Sequence, residues 1–184
     1  QFSGLSGDTF EKTSVAIKTR GIWLGINLLT AIIASSVINL FKDTIEEVIF
    51  LAVLMPIIAS MGGVAATQTL TITVRGLALG QIMSTNYLYL LSREITVGVV
   101  NGFFWALVLG LISYFWFGEL TITLIILLSM VINLFMAVIS GMGIPILLKF
   151  FKLDPAIAGS VIVTTITDVV GFMSFLGLAT LFYG

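Results

Sequence analysis

Ser160, Thr164 and Asp168 follow one another at intervals of four residues, with Thr167 and Gly171 beside them. On a helix this spacing lays a carboxylate and hydroxyls along one face, with a glycine keeping that face low. Oxygen donors in such an array suit a hard cation, which takes carboxylate, hydroxyl and water ligands. An isolated Thr in an apolar helix more often bonds its own backbone, and Thr165 is read that way. The stripe acquires a functional sense because it includes Asp168.

A second candidate is the segment PIIASMGGVAATQTLTITV, in which Pro56 and the pair Gly62 and Gly63 precede Thr67, Gln68, Thr69, Thr71 and Thr73. Pro56 and the glycines predict a kinked or interrupted helix, whose freed carbonyls would face a watery passage. Close helix packing through small residues is the competing explanation for the glycines. Glu94 is a weaker third feature, read as a solvated helix end that pairs with Arg93 or Arg20.

The elements that must position these residues are membrane helices. The 184 residues are 59% hydrophobic and 9% charged, well below the roughly one quarter charged in a soluble domain, so lipid is the main solvent of this surface. Apolar runs near the roughly 20 residues that cross a bilayer recur five times. The fold class is therefore all-α integral membrane, with spans at about 21–41, 48–74, 95–117, 120–148 and 155–182. The second and fifth are expected to be kinked. Residues 1–20 read as a cytoplasmic entry, the end of a connecting helix, and 75–93 as a polar connector along the interface. Asp154 and Pro155 suit the cap and first turn of the last helix. Counted from there, Asp168 falls roughly 20 Å along the helix at 1.5 Å per residue, near the middle of the membrane.

Composition also removes function classes. There is no Cys and no His, which excludes thiol chemistry, imidazole ligation and the usual general base, so an enzyme is not expected. A formal charge of −1 offers no basic stripe for nucleic acid. Seven of the eight basic residues, Lys12, Lys18, Arg20, Arg75, Arg93, Lys149 and Lys152, fall on one side of the threaded spans and Lys42 on the other. By the positive-inside rule that side, with the N-terminus, is cytoplasmic and the C-terminus lies outside. The start at Gln1 rather than Met suggests a piece of a longer protein.

One deep carboxylate per chain leaves a divalent cation half compensated. A two-fold homodimer that brings both Asp168 side chains to its axis restores balance. Mg2+, which gives up water reluctantly, is the first candidate for such a passage.

The segment DPAIAGSVIVTTITDVVGF, from Asp154 to Phe172, and PIIASMGGVAATQ, from Pro56 to Gln68, resemble the membrane domain of the MgtE family of magnesium channels and transporters. Arg75 and the Arg93–Glu94 region also stand where that pattern places charges. The resemblance implies a homodimer with its pore formed chiefly by the second and fifth spans, and a hydrated Mg2+ held by the paired pore aspartates, here Asp168. It implies missing cytoplasmic regulatory domains as well, an N-terminal domain and a pair of CBS modules that close the channel when Mg2+ is plentiful. Val64, Ala66 and Thr67 stand where the family motif carries Asn and Gly, and Ser160 stands in place of an Asn. Divalent transport is therefore the firmer implication and Mg2+ selectivity the narrower one.

Other readings remain open on the residues alone. A coupled secondary transporter would use Asp168 to take up and release protons. An intramembrane aspartyl protease needs two carboxylates in one site, and one chain supplies a single deep acid. A passive anchoring domain would have no use for Asp168.

Overall fold

The computed structural model describes residues 12–83, 85–152, 155 and 157–183. Within them the chain forms α1 (Thr13–Leu40), α2 (Lys42–Glu47), α3 (Phe50–Ala78), α4 (Tyr87–Phe117), α5 (Leu120–Phe150) and α6 (Ile157–Tyr183). Five of these, all but α2, are long and apolar enough to cross a membrane. The protein is an all-helical, multi-pass membrane protein, and no strand occurs among the described residues.

Several boundaries differ from expectation. Residues 13–20 are helical and run without a break into the first span as part of α1. The connector before α4 shrinks to the stretch between Ala78 and Tyr87, because Tyr87 to Arg93 continue the helical turn of the apolar run behind them. The anticipated interruption of the second span is absent: α3 runs unbroken through Pro56, Gly62 and Gly63. Proline removes one donor and glycine costs about 1 kcal/mol, penalties that lipid-facing backbone and tight neighbours outweigh in a membrane. Asp154, expected to cap the last helix, lies outside the described residues.

Helix α5 is the centre of the bundle. It packs against α3, α4 and α6, whereas α1 rests mainly on α6 and shows most of its surface to the outside. The sequence explains the order. Mean hydropathy is highest in α5, so it is stable with protein on every side. Ile22, Leu24, Leu28, Leu29, Ile32 and Ile33 of α1 remain exposed, as lipid contact requires.

The core joins Leu51, Leu54 and Ile58 of α3 to Ile122, Ile125 and Met130 of α5 and Phe175 and Leu176 of α6. Glycines let the backbones come close. A Cβ at Gly141 of α5 would stand 2.6 Å from the Ala66 carbonyl oxygen and 3.2 Å from the Leu70 nitrogen of α3. Gly98 and Gly102 of α4 do the same against Val138 and Leu134 of α5. Such small-residue contacts replace the hydrophobic drive that lipid does not supply.

One end of the bundle is tied by polar contacts. Tyr183 donates its hydroxyl to Glu119 Oε1 at 2.7 Å, and Thr44 and Thr180 share a hydrogen bond of 2.8 Å. Gly118 closes α4 in the left-handed region at φ 67°. Replacing Tyr183 with Phe is expected to lower stability by about 1 kcal/mol, the usual net value of one hydrogen bond. A thermal melt in detergent checks it.

Candidate ion site and family

Asp168 lies eleven residues after Ile157 in α6, about 17 Å along the helix. It is partly buried, and no described residue hydrogen-bonds or ion-pairs with its carboxylate. Along the stripe, Thr164 donates its hydroxyl to the Ser160 carbonyl at 2.9 Å, whereas Thr167, expected on the same face, is completely buried inside the bundle and donates to the Thr164 carbonyl at 2.9 Å. Thr165 bonds the Val161 carbonyl in the same way at 2.7 Å. These donations leave the hydroxyl lone pairs free. An oxygen that has given its proton to its own helix can only accept, which is the polarity a cation needs.

Helix α3 brings one predicted residue to this stripe. A Cβ at Gly63 would sit 3.8 Å from Thr164 Cγ2, so Gly63 makes the low wall beside it. Gly62 and Gly171 serve a different purpose: both are opposite the side chain of Asn133 from α5. Gln68 is not brought to the stripe. Five residues from Gly63 is about 140° around a helix, and Gln68 lines a cavity on the far side of α3 together with Glu94.

Asn133 of α5 stands out only in the folded protein. It is completely buried, and its amide donates to the Ile58 carbonyl oxygen at 3.0 Å. Its own Oδ1 has no partner among the described residues. The junction of α3, α5 and α6 is therefore built on one amide seated over two glycines. The available signal was that Asn133 is the sole amide side chain in α5. Glu94 also departs from expectation: it is 6% exposed rather than solvated, and it pairs with neither Arg93 nor Arg20. The reason is that Gly98 and Gly102 draw this face of α4 down onto α5.

Among the described residues no three of His, Cys, Asp or Glu cluster as a metal cage would. An ion at Asp168 must therefore keep water or borrow ligands from another chain.

Residues 55–178 match the MgtE family model, described as a divalent cation transporter. The chain belongs to the MgtE family. It is 31% identical over 175 residues to the magnesium transporter MgtE of Bacillus subtilis, covering 95% of this chain and 39% of that protein. It is 28% identical to the Enterococcus faecalis magnesium transporter MgtE, over 98% of this chain and 41% of that protein. The Thermus thermophilus magnesium transporter MgtE is 29% identical over 86% of this chain and 35% of its own length. The chain thus spans about two fifths of the length of these MgtE relatives. The family match takes in α3 from Met55, all of α4 and α5, and α6 to Leu178. It contains both halves of the ion-site reading, Gly62 and Gly63 on one side and the Asp168 stripe on the other.

Proposed function

We propose that this chain forms the pore of a divalent cation channel, with Mg2+ as the first candidate, in which Asp168 from two copies holds the passing ion. One observation carries the reading: a carboxylate without a partner among the described residues, within an apolar helix and one turn beyond a Thr164 hydroxyl that has given its proton to the backbone and can only accept. An ionised group there is costly unless water or a cation reaches it. Two copies supply a charge of −2, which matches one divalent ion without surplus. Carboxylates that hold the ion through its water leave it able to move on, as conduction requires.

The relatives' description as magnesium transporters supports Mg2+. Ser160, Thr164 and Gly63 complete the wall of the passage, and Gly171 lets α6 approach α5 beneath it. The N-terminus is cytoplasmic on the distribution of basic residues. The parts of the MgtE relatives that this chain does not cover are assigned to cytoplasmic domains that regulate the pore.

The test is divalent flux into liposomes carrying the chain, over Mg2+, Ca2+, Mn2+ and Co2+, with and without an imposed pH gradient. Mg2+ is expected to move down its own gradient at a rate indifferent to pH. Flux that follows the proton gradient instead would replace the channel by a coupled secondary transporter. Absence of flux from folded protein would leave an anchoring role.

A further inference from the structure

A cavity of about 350 Å³ opens between α3 and α4 and is floored by α5. Its polar lining comes from Glu94 and Asn101 of α4 and Gln68 and Thr69 of α3, with Trp105 farther along α4. Glu94, Asn101 and Trp105 recur at intervals of seven and four, which keeps them on one face of the helix. Glu94 is 6% exposed and has no hydrogen-bond or ion-pair partner among the described residues. Leu134 and Val138 of α5, with Met61, Val64 and Val97, make the remaining wall apolar.

These residues converge on one space. Glu94 has no cationic partner among the described residues, neither Arg75 nor Arg93, so its carboxylate depends on what enters the cavity, whether water or a cation. The amide oxygens of Gln68 and Asn101 and the Thr69 hydroxyl are neutral acceptors, the usual companions of a carboxylate around a hard cation. The space is also far larger than a proton needs, at about 30 Å³ per water. Charge then selects the guest. A single carboxylate balances a monovalent cation, whereas a divalent one would carry an unmatched charge into an apolar cavity.

We infer that this cavity is a second cation site, separate from the Asp168 passage, that holds one small monovalent cation with part of its water through Glu94, Gln68 and Asn101. No residue of α6 lines it, and α3 stands between it and the Asp168 stripe.

Trp105 provides the readout. The chain contains three Trp residues, so a Trp23→Phe, Trp116→Phe background in lipid nanodiscs reports on the cavity alone. NaCl is titrated against N-methylglucamine chloride at constant ionic strength, with Mg2+ removed, and MgCl2 is titrated separately. A saturable change in Trp105 emission is expected with Na+ and not with the bulky cation. Its midpoint should rise at least about tenfold in Glu94→Gln, since a charge-assisted contact becomes a neutral one. It should stay in place in Asp168→Asn. Asn101→Leu, at a more exposed position, should weaken the response too and covers the case in which Glu94→Gln does not fold. The inference is overturned by a Na+ response that survives both cavity substitutions, by none beyond that of N-methylglucamine, or by a response to Mg2+ or pH alone.

Discussion

Gly62→Ala and Gly171→Ala are each expected to destabilise the protein by about 2–6 kcal/mol, and each loss should largely disappear when Asn133 is also replaced by Ala. A methyl group at Gly171 would stand 2.7 Å from Asn133 Nδ2 and 3.2 Å from Ile58 Cγ2, and one at Gly62 would overlap the same amide. Overpacking of this kind costs about 1–3 kcal/mol. The amide has nowhere to go, because it is fully buried and held to the Ile58 carbonyl. Displacing it breaks that bond and strands a buried acceptor, for about 1–3 kcal/mol more. At about 2–4 °C per kcal/mol for a chain of this length, the melting point falls by roughly 4–24 °C.

Removal of Asn133 empties the space into which the new methyl group would project. The second substitution then costs less in the Asn133→Ala background than in the native chain, a coupling that a double-mutant cycle reads directly. Equal losses in both backgrounds would mean that the glycines act elsewhere, for instance through backbone flexibility. The expectation bears on the proposed function because Gly62 and Gly171 fix how closely α3 and α6 approach near the depth of Asp168.

The five membrane helices were legible because each is an apolar run of bilayer length, a property of composition that needs no knowledge of neighbours. Asp168 was legible for the same reason: a charge in such a run is conspicuous. What depends on which helix faces which was not. Gly62, Gly63 and Gln68 form one motif in sequence, yet helix geometry sends Gly62 to Asn133, Gly63 to Thr164 and Gln68 to the cavity with Glu94. Pro56 suggested a break, but a helix surrounded by lipid and other helices has no water to bond freed backbone groups and therefore stays helical. Glu94 lies seven residues from the start of α4, near enough to an end to suggest a solvated position. Its burial is set by Gly98 and Gly102 meeting α5, a tertiary fact. Asn133 carries no charge and stands alone, so its importance appears only when the two glycines converge on it.

Asp168→Asn is expected to remove divalent flux while sparing the fold. Asn keeps the shape and discards the charge. A charge-assisted contact is worth about 1.5–3 kcal/mol, and two-fold symmetry removes two of them together, so the ion loses about 3–6 kcal/mol of stabilisation. At 1.4 kcal/mol per tenfold, that corresponds to roughly 100-fold or more in flux. Stability should hold or rise, since an unpartnered carboxylate within the bundle contributes nothing to folding and costs desolvation. Loss of flux with an unchanged melting point separates an ion ligand from a structural residue.

The decisive measurement is Mg2+ uptake by liposomes containing matched amounts of the native chain and of Asp168→Asn, with melting curves recorded on the same preparations. Asp168 as the ion site predicts uptake lowered at least about 100-fold and a melting point at or above the native value. Native-level uptake by the folded variant would contradict it and move the search for the passage away from α6.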